Sequence, residues 1–206
     1  MKKVKFVTLA ATALLAAGIL TACGNNNNDT ATTSEPATTE TTEADATTAP
    51  TQTAATDVET LEKGLSADGS WIVHSEQDID ASGKTITVDG TFTHRDVEAR
   101  KLAFYTQERE GEGANVKVTI TGSFTLTVDR LIVKSPNFDL SNMTVKGDVY
   151  VDADGFKIST TEGTDYPPAI DGNLYFATEA QMEAFKAADG DMAQFVKGHI
   201  EVKTAE

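Results

Sequence analysis

The sequence predicts an all-β fold, specifically a right-handed parallel β-helix (a β-solenoid) of about five to six coils with one short C-terminal helix. Three observations point there. Alternation of apolar and polar residues, many of them β-branched, runs through Thr85–Val88, Val116–Ile120 and Phe124–Val128. A glycine-centred motif, apolar-x-Gly-x-apolar, occurs six times around Gly69, Gly90, Gly122, Gly147, Gly172 and Gly198, at intervals of 21, 32, 25, 25 and 26 residues. A period in this range, with short β segments, is the mark of coils that stack on one another. Finally, Asn-Gly and Asp-Gly two-residue turns are too few to return every strand as a hairpin. The Asp-Gly pairs at Gly69 and Gly90 keep a β-sandwich as the alternative architecture.

Each element follows in order. Residues 1–22 read as an export signal: Lys2, Lys3 and Lys5 precede an apolar run from Phe6 to Leu20 that is too short to span a bilayer. The run ends in Leu20-Thr21-Ala22-Cys23, and Cys23 is the only cysteine, so no internal disulfide forms. Residues 23–60 are poor in large apolar side chains and rich in Thr, Ala and Glu, with Pro36 and Pro50. Such a segment buries too little apolar surface to offset the entropy of ordering, and it is expected to be a disordered stalk. Residues 61–206 form the expected solenoid domain.

Within that domain, glycine is expected at corners where coils approach closely. Trp71, Phe92, Phe124, Val149, Leu174 and Ile200, each two residues after a motif glycine, are expected to stack as one interior ladder. The charged, glycine-rich stretch 107–115 reads as a loop inserted into one coil. Thr178 with Gln181 forms a capping box for a helix over 178–188, on which Met182 and Phe185 share a face and which Gly190 ends. That helix is expected to cover an open solenoid edge.

The chain carries a net charge of −15; without Lys2, Lys3 and Lys5, 14 basic residues face 32 acidic ones, a net of −18. A chain so acidic lacks the basic footprint that phosphate backbones require, so nucleic acid is excluded as a partner. No cofactor is expected: phosphate-binding and dinucleotide fingerprints are missing, as is the nucleophile elbow. His74, His94 and His199 lack neighbours at metal-ligand spacing. Asp152-Ala153-Asp154-Gly155 fits a turn better than a calcium loop, because further oxygen ligands are missing. Asp129, Arg130 and Asp152 are the nearest approach to the acid-and-base set of a polysaccharide-active β-helix enzyme; the expectation is a non-enzymatic protein. Tyr150 and Tyr175, one period apart, are expected to stack outside the coil as a possible ligand-binding platform for cell-wall glycan or an envelope protein.

Two resemblances add to this. Leu20-Thr21-Ala22-Cys23 resembles the lipobox of bacterial lipoproteins, which implies that a diacylglycerol is attached to the Cys23 sulfur and that cleavage leaves Cys23 first. Buried acyl chains contribute about 0.8 kcal/mol per methylene, so two chains hold a protein at a membrane. The implied location is the extracytoplasmic face of the cell membrane. Gly24 does not match the Asp-type inner-membrane retention signal. The coils around Gly147 and Gly172 resemble those of the bactofilin, or polymer-forming cytoskeletal, family across roughly residues 67–176. That family implies a right-handed β-helix and self-association end to end without a nucleotide. The export signal, the charged insertion and the helix depart from its pattern.

Overall fold

A computed structural model describes residues 51–111, 116–188 and 190–205. The expected signal peptide, Cys23 and stalk residues 24–50 lie outside the described residues. What is described is mostly β, with two α-helices. In chain order the elements are β1 (Gln52–Ala54), α1 (Val58–Leu65), β2 (Ile72–Ser75), β3 (Ile79–Val88), β4 (Thr93–His94), β5 (Val97–Glu98) and β6 (Arg100–Glu110). There follow β7 (Lys117–Ser123), β8 (Thr125–Val133), β9 (Phe138–Ser141), β10 (Thr144–Val151) and β11 (Lys157–Ser159). The chain closes with β12 (Ala169–Asp171), β13 (Leu174–Phe176), α2 (Glu179–Ala187), a 3₁₀ turn (Met192–Phe195) and β14 (Ile200–Val202).

Two sheets hold the core. The first runs β1-β2-β6-β9-β11 and the second β14-β13-β10-β8-β3, and every neighbour pair along both paths is parallel. From β2 to β13 the chain passes back and forth between them, and β12 extends the second sheet beside β10. Inward positions stack by register. Val73, Leu102, Leu140 and Ile158 align in the first sheet, and Ile86, Leu131, Val149, Leu174 and Ile200 in the second. All of them except Ile200 are buried, and Ile200 packs against the same cluster. Burial of that kind is the main favourable term in folding.

The expected single ladder is corrected by this register. Val149, Leu174 and Ile200 do align, but Ile86 and Leu131 complete their row. Trp71 precedes a strand of the other sheet, Phe92 lies outside the strands, and Phe124 sits between β7 and β8. The glycine motif therefore marks different corners in different parts of the chain. The equal spacing holds only for the later ones. Close approach is real at several of them: a Cβ on Gly69 would fall 2.0 Å from the Gly64 carbonyl oxygen, and one on Gly147 2.0 Å from that of Val128.

The charged insertion is a β-hairpin: β6 runs past its sheet and pairs antiparallel with β7 from Tyr105↔Ser123 to Glu110↔Lys117. Residues 112–115 lie outside the described residues. A smaller antiparallel pair, β4 with β5, turns through Arg95 and Asp96, both at positive φ (51° and 62°).

The folded unit also begins earlier than residue 61. β1 pairs with β2, and α1 spans the expected stalk boundary with Leu61 and Leu65 fully buried. Asp57 caps α1, accepting from the Thr60 backbone N–H and from its hydroxyl, both at 2.8 Å. Those bonds hold the Asp57 carboxyl below its usual range. Its contribution is present above the unfolded value of 3.8 and is lost as pH falls through the lower folded value. Hydrogen-exchange protection across α1, corrected for intrinsic rates, is expected to fall in that acid window, and Asp57→Ala is expected to abolish the pH dependence.

α1 packs against β1, β2 and β3, and Glu62 pairs with Lys84 of β3 at 3.1 Å. The buried Arg100 side chain fastens it. Its Nη1 donates to the Asp89 carbonyl (2.8 Å), and its Nη2 to those of Gly64 (2.8 Å) and Ser66 (3.3 Å) at the C-terminus of α1. A cation suits that negative helix end. The guanidinium also lies 3.9 Å from the Phe92 ring centroid. Burial lowers its pKa to about 10, with Asp89 opposing, so it stays charged at neutral pH.

At the other end, the capping box of Thr178 and Gln181 is present, and α2 buries Phe185 against Phe156 and Phe176. The 3₁₀ turn flanks β11, whose Ile158 N–H donates to Met192 Sδ. The 3₁₀ turn thus lies against β11 at the end of the first sheet, α2 packs against β13 and β14, and among the described residues β14 is strand-paired with β13 alone.

Candidate functional site

Tyr150 and Tyr175 are direct register partners on β10 and β13, with ring centroids 4.7 Å apart. Alternation along the strands turns both to the outer face, since Val149, Val151, Leu174 and Phe176 face the core. The rings meet as expected but are tilted by 35° and not stacked, and the platform is not open: Tyr150 is 4% exposed and Tyr175 9%. Lys203, just after β14, places Nζ 4.7 Å from the Tyr175 centroid and 5.8 Å from that of Tyr150. The Arg130 guanidinium lies 5.6 Å from Tyr150. Cations over aromatic faces are favourable, so the C-terminal segment lies over rings the repeat alone would leave bare. Burial raises the Tyr175 pKa, Asp148 adds to it, and Lys203 opposes.

Beside the pair is a cavity of about 250 Å³ lined by Ile132, Lys134, Tyr150, Asp152, Lys203 and Thr204 among others. Two ammonium groups and a carboxylate around one aromatic edge offer hydrogen bonds to a polar, hydroxyl-rich ligand. Tyr150→Ala is expected to cost about 3 kcal/mol, because it removes a buried ring and its partner's contact. Tyr150→Phe is expected to leave the denaturation midpoint nearly unchanged, which thermal denaturation of the two variants measures.

The remaining nominated residues separate. Asp129 accepts from the Gly83 N–H at 2.8 Å and so anchors the irregular turn of β3. Arg130 leans over Tyr150, and Asp152 borders the cavity. His94 stacks on Trp71 (4.0 Å, 17°), His74 lies in β2, and the His199 N–H donates to Asn173 Oδ1. Among the described residues no three His, Cys, Asp or Glu converge to hold a metal. Asp154 and Gly155 form a turn, with Gly155 at φ +76°, and the Asp154 carbonyl accepts from the Asn137 N–H of an earlier pass of the chain.

Sequence reasoning missed a polar cluster on the outer face of the first sheet. Asp139, 9% exposed, accepts from the Ser159 hydroxyl at 2.9 Å and lies 3.9 Å from Lys101 Nζ; among the described residues its Oδ1 has no hydrogen-bond partner. Lys101, Asp139 and Lys157 share one register row across three strands. Their unequal separations in sequence, 38 and 18 residues, leave no periodic signal. Arg100 was missed for a similar reason: its partners are backbone carbonyls, which no motif encodes.

No family model matches the sequence, and no curated protein and no solved structure matches it either.

Proposed function

We propose that the chain is a lipid-anchored bacterial envelope protein whose folded part, a right-handed β-solenoid, works as a non-enzymatic binding or scaffold module. The shuttling of the chain between two parallel sheets supports the solenoid, and the crossover rule for parallel strands supports its hand. The lipobox-like Cys23 supports the tether. Among the described residues no helix is long and apolar enough to cross a membrane, and the proposed anchor is the lipid on Cys23.

The observation that carries the role is the sealed N-terminal end. A bactofilin-like polymer needs two competent end faces, since open assembly grows from heterologous contacts that do not close. Here α1 lies against the first strands, with Leu61 and Leu65 fully buried and Arg100 bonded to its last carbonyls. That end offers a helix surface rather than an unpaired coil. The cavity beside Tyr150 is the proposed place for a polar envelope ligand, cell-wall glycan first. Sedimentation velocity and electron microscopy of residues 24–206 test the reading. Particles of bounded size are expected; filaments that persist on dilution would make the polymer the better account.

A further inference from the structure

With the N-terminal end covered, β14 ends the second sheet: α2 packs against it, but among the described residues no strand pairs with its far side. Its bonding to β13 fixes which groups face outward. The His199 carbonyl accepts from the Leu174 N–H, and the Lys203 N–H donates to the Phe176 carbonyl. Odd-numbered residues therefore turn their backbone groups toward β13, and Ile200, Val202 and Thr204 turn theirs away from it. Val202, an inward-row residue in register with Phe176, is 46% exposed, with no further strand beyond it among the described residues. An edge of this kind is a template for another strand unless something blunts it.

We infer that β14 pairs antiparallel with β14 of a second copy, giving a two-fold dimer in which Val202 faces Val202 of the partner. The charges on the strand select that register. Only even-numbered residues direct backbone groups outward, so three two-fold registers are open to this short strand. Centring the pair one residue earlier sets Glu201 against Glu201, and one residue later sets Lys203 against Lys203. Like charges directly opposite are destabilising. Centring on Val202 sets Glu201 against Lys203 at both symmetry-related positions. These fall at the non-hydrogen-bonded pairs of an antiparallel ladder, where opposing side chains come closest. Both charges lie on the outer face: Glu201 is in register with Tyr175, and Lys203 lies over its ring. On the inner face, the two Val202 side chains cover each other. Backbone bonds form at Val202 with Val202 and at Ile200 with Thr204, in both directions. The contact is isologous and closes at two copies.

Size-exclusion chromatography with light scattering on residues 24–206, run from low to high micromolar protein, reads the outcome. The unaltered chain is expected to approach the mass of two copies. Glu201→Lys and Lys203→Glu are each expected to return it to one copy, and the double reversal to restore two. Val202→Pro removes an N–H that points away from β13, so it is expected to give a folded monomer, with circular dichroism reporting the fold. A monomer at every concentration would overturn the inference. So would a dimer indifferent to the single reversals and to Val202→Pro.

Discussion

Gly172→Ala is expected to lower the thermal midpoint by roughly 10 °C. A Cβ built on Gly172 falls 2.1 Å from the Gly147 carbonyl oxygen and 2.5 Å from the carbonyl carbon. Both belong to the backbone of the preceding strand, so no rotamer change relieves the clash; β10 and the Gly172 corner must separate. Separation breaks the bonds that lock this corner. The Gly198 N–H donates to the Gly172 carbonyl, and Asp148 Oδ1 accepts from the Asn173 backbone N–H at 2.9 Å and side-chain amide at 3.0 Å. Overpacking of this severity costs about 3 kcal/mol, at the upper end of its usual range. Gly163→Ala supplies the control. Gly163 has φ +72° with nothing within 4 Å of the added methyl, so only the backbone conformation is penalised, by about 1 kcal/mol. Calorimetry of the two variants separates crowding from conformational strain, and equal losses would remove the close-packing argument.

Arg100→Met is expected to cost about 3–5 kcal/mol and to release the N-terminal end before the rest of the molecule unfolds. The methionine fills much of the volume but leaves the Gly64, Ser66 and Asp89 carbonyls without their donor. Hydrogen bonds to a charged group contribute about 1.5–3 kcal/mol each, and a buried acceptor left bare forfeits more than the bond. Arg100→Lys is expected to recover only part of this, because one ammonium does not reproduce a fork that reaches both the α1 terminus and Asp89. Trp71, the only tryptophan, stacks on His94 near this end and reports the release by fluorescence. Loss of hydrogen-exchange protection in α1, with β10 and β13 still protected, is the pattern expected. Uniform loss across the molecule would show that Arg100 stabilises the whole fold and not the end.

The alternating stretches of β3, β7 and β8 were legible in the sequence, as was the capping box of α2. Local pattern determines both. The Tyr150–Tyr175 pair was legible too, because both tyrosines stand three residues after glycines 25 apart and no insertion separates them. Its burial was not, since Arg130 of β8 and Lys203, just after β14, are brought to it by a strand register that a sequence does not display. α1 was hidden because its apolar face rests on Val58, Leu61 and Leu65 alone, within a Thr- and Glu-rich stretch that reads as stalk. Its cap pairs Asp57 with Thr60 in place of the more usual Glu or Gln. The first three glycine motifs misled because the same local spacing serves a helix-to-strand corner at Gly69, the edge of a small hairpin at Gly90 and an antiparallel strand at Gly122. Glycine reports close approach or a turn; it does not report which corner.

The tether is the claim on which both location and role depend, and the intact mass of the protein purified from a bacterial membrane fraction tests it most directly. A chain that begins at Cys23 and carries a diacylglyceryl group is expected, and Cys23→Ala is expected to release the protein from the membrane fraction. A mature chain of unmodified mass that begins elsewhere, or one that retains residues 1–22, would contradict it.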